Sequence, residues 1–267
     1  MLELPPLRVL GPDLIRLTAR QRFVALALPF GLAAAYFGAA ARGWWPVAVL
    51  ALMGLSFVTY GSTSHDLVHR SLGLSRRWNE ILLCLVELLA IRSGHAYRSA
   101  HLHHHARFPA DDDIEGAAAR MTWVGALVDG LTLQYRIWWR AARIPTPGRA
   151  WVLAEGAACL ALVGAAIALR PATPIPLLYV GLMVAGSWII PLVTSYFPHD
   201  AAGATALTQT RAYRGGLASL IGLEHLYHLE HHLYPAVPHQ RWPELARRLD
   251  PHLERAGVRP IRFGGRG

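Results

Sequence analysis

The chain has 267 residues, 53% of them hydrophobic and only 16% charged, with a formal net charge of +9. Soluble domains carry roughly a quarter charged residues, so this composition excludes an ordinary water-soluble fold and points to a membrane protein. All 26 basic residues are arginine, and in so apolar a chain that balance suits anionic lipid rather than nucleic acid.

In chain order, the first element is FVALALPFGLAAAYFGAAA at 23–41, an uncharged run of 19 residues, and the second is 43–64. A helix needs about 20 apolar residues to cross the hydrocarbon core. The link ARGWWP is short, so these two spans form a helical hairpin. A secretory h-region runs to about 7–15 residues. The first run is longer and is followed at once by another span, so it is expected as a retained helix.

Two shorter apolar stretches follow. ILLCLVELLAI at 81–91 is too short to span and carries Glu87; 121–139 carries Asp129 and Arg136. Each is expected as an amphipathic helix lying in the interface with its apolar face down. The third span is 150–169, interrupted only by Glu155, and the fourth is 176–197. RPATPIP joins them as a second hairpin. Pro29 and Pro191 fall inside spans, where neighbouring helices can satisfy the freed carbonyls. The basic C-terminal stretch RRLDPHLERAGVRPIRFGGRG is expected as a solvated tail, or as a contact for lipid headgroups or an acidic redox partner. Cys84 and Cys159 lie in apolar runs outside any CxxC pattern and are expected as small buried hydrophobes.

Arginine placement orients these spans. The hairpin tips carry one each, Arg42 and Arg170, and the remaining 24 lie in the N-terminal arm, the 65–149 segment and the C-terminal segment. Positive residues favour the cytoplasmic side. The expected protein is therefore a single all-α integral-membrane domain over 1–267. Four transmembrane helices form two hairpins that dip in from the cytoplasm of a bacterial inner membrane. Interfacial helices and a cytoplasmic cap complete it, with both termini cytoplasmic.

All three histidine clusters fall on that same side: HDLVH at 65–69, AHLHHHARFPADDD at 100–113 and HLYHLEHHLYPAVP at 225–238. Helical positions i, i+3 and i+4 share a face. His65 with His69, then His101, His104 and His105, then His228, His231 and His232 thus present eight imidazoles on three helix faces. Imidazole suits iron, copper, zinc and nickel rather than magnesium or calcium. Eight ligands are too many for one ion, whereas two ions with roughly four or five each would use them. His199, in SYFPHD just beyond the fourth span, is a candidate ninth. His103 points away from its neighbours and is read as a non-ligand. His95, His239 and His252 lack partners at metal spacing and are assigned surface or structural roles; His225 stays open. A metal-bound imidazole commonly gives its other N–H to a carboxylate, and Asp66 and Glu230 are the candidates. Asp111, Asp112 and Asp113 read equally well as such partners or as a solvated turn.

This pattern, HxxxH, then HxxHH, then HxxHH after a helical hairpin, resembles the integral-membrane fatty acid desaturase superfamily over roughly residues 45–250. YHLEHHLYPAVP is the closest single match. The resemblance implies a non-haem di-iron centre that activates dioxygen. His65, His69, His101, His104, His105, His228, His231 and His232 would bind the two irons, and His199 matches an additional ligand. It implies all-α architecture and a lipid substrate reached from the membrane. The chain has no HPGG haem motif, so electrons would come from a separate ferredoxin- or cytochrome-like donor. YHLEHHLYP is similar to acyl-lipid desaturases, while SYFPHD and the small size are similar to beta-carotene ketolases. Desaturation or hydroxylation of acyl chains and oxidation of carotenoids are therefore both carried forward. A metal transporter would place ionisable ligands inside the spans, where only Glu155 is found. A zinc hydrolase would need an HExxH motif, which is absent.

Overall fold

The computed structural model describes residues 4–215 and 225–262, with only the backbone of His225. A short helix α1 (Leu7–Leu10) precedes the first span, α2 (Ala19–Ala40). Thr18 starts α2 with a capping box: its side chain accepts from the Gln21 N–H, and the Gln21 side chain accepts from the Thr18 N–H. The second span, Trp45–His69, is one apolar rod in three parts. These are α3 (Trp45–Phe57), a π-helical turn (Val58–Thr63) and α4 (Ser64–His69). It runs further than the expected 43–64, because residues 64–68 are buried by protein and need no hydrocarbon to stay helical. The HxxxH box is thus the last turn of a transmembrane helix.

Next come α5 (Arg76–Leu89), α6 (Gly94–Arg107) and α7 (Trp123–Arg143). Both α5 and α7 are two-faced, as expected of interfacial helices. Along α7, Trp123, Val124, Val128, Leu131, Tyr135 and Trp139 are exposed, whereas Ala126, Gly130, Leu133, Ile137 and Ala141 are buried. Gly130 is required there: a Cβ would lie 1.9 Å from the Trp188 carbonyl oxygen. Glu87 of α5 does not reach water. It is buried and paired with buried Arg92 at 2.8 Å. The second hairpin follows as α8 (Arg149–Leu169) and the span Ile175–Tyr196, made of α9 (Ile175–Ser187) and a second π-helical turn, Leu192–Tyr196. Four helices are thus long and apolar enough to cross a membrane, and the protein is an all-α integral-membrane chain.

A cap closes one end of the spans. It contains α10 (His228–Leu233), α11 (Trp242–Arg255) and a two-residue parallel pairing of Tyr213–Arg214 with Ile261–Arg262. Leu10 and Leu14 from the N-terminal arm pack with Trp242, Leu245, Leu249 and Leu253 of α11. The expectation of a solvated C-terminal tail is therefore corrected for α11 and Val258, whereas Arg259, Ile261 and Arg262 are exposed. Leucines four apart give α11 a buried stripe that its arginines obscure in a reading by composition. Cys84 and Cys159 are free and only partly buried, so they too differ from expectation.

Candidate metal centre

The π-helical turns of the second and fourth spans lead straight into the site. The first delivers α4 with His65 and His69; the second delivers His199, whose Nδ1 donates to the Ser195 carbonyl at 3.1 Å. π turns recur at functional positions because they re-aim a helix without ending it. Helix α6 brings His101, His104 and His105, and α10 brings His228, His231 and His232.

These nine imidazoles form two clusters. His65, His69, His101, His105 and His231 make the first; His104, His199, His228 and His232 make the second. Neither cluster follows the boxes, since the second box splits between them and so does the third. In the first, His65, His101, His105 and His231 close a ring of Nε2 atoms. The separations are 3.1 Å (65 to 101), 3.1 Å (101 to 105), 2.7 Å (105 to 231) and 2.9 Å (231 to 65). The His69 Nε2 is buried beside it without a hydrogen bond. In the second, the His199 Nε2 lies 3.0 Å from that of His104, 3.2 Å from His228 and 3.1 Å from His232.

Those separations fit metal ligation. Two nitrogens at right angles and about 2.1 Å from one ion are about 3.0 Å apart. Proton placement argues the same way. Nδ1 of His101 donates to Glu115 Oε1 at 2.9 Å, and Nδ1 of His104 donates to Asp113 Oδ2 at 2.7 Å. A carboxylate only accepts, so in the neutral ring each Nε2 keeps a bare lone pair. Bare lone pairs facing one another are repulsive unless a cation lies among them. Burial first, and neighbouring imidazoles second, push His105, His231 and His232 well below the usual histidine range. His199 is lowered as well, by burial and then by His104. The site therefore presents neutral, ligand-ready nitrogens, and the residues fit two transition-metal ions.

The supporting carboxylates differ in part from those expected. Asp66 accepts instead from His239, through its backbone N–H at 3.0 Å and its Nδ1 at 2.7 Å. Glu230 accepts from Arg214 at 2.5 Å, and Arg214 also bonds Asp250. Both acids are buried; Asp66 ties the second span to the cap and Glu230 ties the cap together, and neither orients a box imidazole. Asp113 and Glu115 have that task. Burial alone would raise the Asp113 carboxyl, but bonds from His104 and the Gly116 N–H hold it below the usual range. Asp111 is exposed, and Asp112 pairs with Arg107 and His103 at the surface. Glu115 was not singled out in the sequence; its only signal there is being an acid four residues past a box-side turn.

The remaining histidines lie outside both clusters. His103 contacts Arg140 at 2.9 Å. His95 is buried, not at the surface, and bridges Glu155 at 2.7 Å and Glu80 at 2.8 Å. Glu155, the one acid in the third span, is thereby held by a structural network. His252 sits 2.8 Å from Arg255 on α11. The side chain of His225 lies outside the described residues.

A cavity of about 230 Å³ runs between the second and fourth spans, from Val49 and Met53 up to Tyr60, Gly61 and Thr194. Tyr60, Gly61 and Thr194 also line a small space bounded by His65, His101, His104, Glu115 and His228. The apolar cavity and the histidines therefore share a wall. The Tyr60 hydroxyl donates to Glu115 Oε1 at 3.1 Å, linking that wall to His101. Met53, Phe57, Leu182 and Ile189 line the cavity and are exposed on the lipid-facing surface, so it opens sideways.

A family model described as fatty acid desaturase matches residues 42–264. A search of curated proteins finds no match.

Proposed function

The chain belongs to the fatty acid desaturase family, and from that premise we propose a membrane-bound oxidoreductase that holds two iron ions and uses dioxygen to desaturate or hydroxylate lipid acyl chains. The observation that carries this reading is the wall shared by the apolar cavity and the histidine clusters at Tyr60, Gly61 and Thr194. Iron bound there would supply the dioxygen activation and C–H cleavage that protein side chains cannot perform. The chain supplies everything else. Nine imidazoles would hold the ions, and Glu115 and Asp113 keep protons on the Nδ1 atoms of His101 and His104. Apolar walls from Val49 to Val193 bind the chain and keep water from it. Trp242 packs 5.4 Å from the His65 ring and 5.2 Å from the His231 ring, shielding the first cluster from the cap side. Electrons would come from a separate donor protein.

A second reading, oxidation of a carotenoid, is favoured by SYFPHD, whose His199 joins the second histidine cluster. The deciding experiment is lipid and pigment mass spectrometry of a host that accumulates beta-carotene, with and without this protein. New unsaturated or hydroxylated acyl chains, lost in His104→Ala, support the first reading. Oxidised carotenoids with unchanged acyl chains support the second. We further propose that the clusters and both termini face the cytoplasm, as the arginine distribution suggests.

A further inference from the structure

Away from the metal centre, a second cavity of about 400 Å³ lies where the turn after α4 meets α5, α6, the end of α7 and the start of α8. Its lining includes Arg70, Arg76 and Arg98 against a single acid, Glu80. Glu80 accepts from Arg70 at 2.9 Å, and from Arg98 and His95. Arg98 also donates to the Leu67 carbonyl at 2.8 Å, yet its Nε is buried with no partner. Arg76 makes no hydrogen bond or ion pair among the described residues. Two of the three arginines thus share one carboxylate, and Arg76 is left without one among the described residues.

The other walls are of a different kind. Gly148, the residue before α8, offers no side-chain cap, and the first turn of that 21-residue helix holds no acid. Its free N–H groups add positive potential at the cavity. Trp151, Leu102 and Val152 supply an apolar side, and Trp151 and Leu102 are exposed. The third span begins at Arg149, so the cavity sits at the depth where a helix leaves hydrocarbon for headgroups, the usual level of interfacial tryptophan.

We propose that this cavity binds the phosphate of an anionic phospholipid, with the lipid's acyl chains against Trp151 and Leu102. Phosphate suits a cluster of arginine forks, and only a molecule that is anionic at one end and apolar at the other satisfies both walls. The site is separate from the oxidative chemistry. It touches the metal centre mechanically, because Arg98 and Asn79 both donate to the Leu67 carbonyl, inside the helix that carries His65 and His69.

Native mass spectrometry of the purified full-length protein tests this, using phosphatidylglycerol and phosphatidylcholine as probes. Wild type should retain phosphatidylglycerol preferentially. Arg76→Gln, which removes an unpaired exposed cation, should retain it roughly fivefold more weakly, the effect of one basic group near an anionic membrane surface. Arg70→Gln should act in the same direction, and Arg255→Gln on α11 should change nothing. Equal retention of the two lipids, or no loss in both Arg76→Gln and Arg70→Gln, overturns the site. If inorganic phosphate alone competes the lipid away and raises the melting temperature as much, the ligand is free phosphate and the lipid assignment falls.

Discussion

An imidazole ligates well when its second nitrogen is held, which fixes both the tautomer and the direction of the lone pair. His101 and His104 are held by Glu115 and Asp113. Glu115→Gln should therefore weaken metal binding about 10- to 100-fold, read as iron retained per protein against a chelator, while the helical content stays unchanged. His104→Ala and His231→Ala should each lose iron and activity; full activity in either would sink the site. His103→Ala should keep both, because that ring faces Arg140. The eight box imidazoles that the fold gathers into the two clusters were legible in the sequence because i, i+3, i+4 spacing is a local property. Of their carboxylate partners, Asp113 was a candidate there and Glu115 was not. Asp66 and Glu230 stand inside the boxes but turn away from the ligands, to His239 and Arg214, and no local rule shows which way a buried acid reaches across a fold.

At the scale of elements, the spans were visible because hydropathy is also local, and the four helices lie within a few residues of the expected runs. The π-helical turns were not, since nothing in VTYGST or LVTSY marks a widened turn. Residues of both turns line the cavity between the second and fourth spans. Gly186 lines that cavity, and a Cβ there would meet only Ser56 Oγ, at 3.7 Å. Gly186→Leu should fold and bind iron normally but fill the middle of the cavity. Its kcat/KM should fall for long-chain substrates and be spared for short ones, as product analysis over a chain-length series would show. Uniform loss across the series would argue that the cavity is not the substrate channel.

Across the whole molecule, the cap is joined to the second span where His239 donates to Asp66, and the cap is itself tied together by charge. Arg214 bonds both Glu230, which is fully buried, and Asp250 of α11. Arg214→Ala would strand the Glu230 carboxylate, at a cost of about 3–5 kcal/mol, and thermal unfolding in detergent should show a correspondingly lower midpoint. The arrangement in the membrane carries its own test. Reporter fusions at either terminus should be active only as cytoplasmic reporters, and a reporter inserted near Arg42 or Arg170 should behave oppositely; matching signals at all four positions would reject the two-hairpin topology.

The sideways opening of the cavity at Met53, Phe57, Leu182 and Ile189 changes what substrate concentration means for this protein. A mouth that faces lipid samples a two-dimensional fluid, so its reservoir is the bilayer itself. The rate should follow the mole fraction of substrate among the lipids around the protein and stay constant when that mixture is diluted with buffer. An apparent KM quoted in molar units would then describe the detergent or vesicle preparation, whereas the same constant expressed per lipid would carry over from one membrane to another.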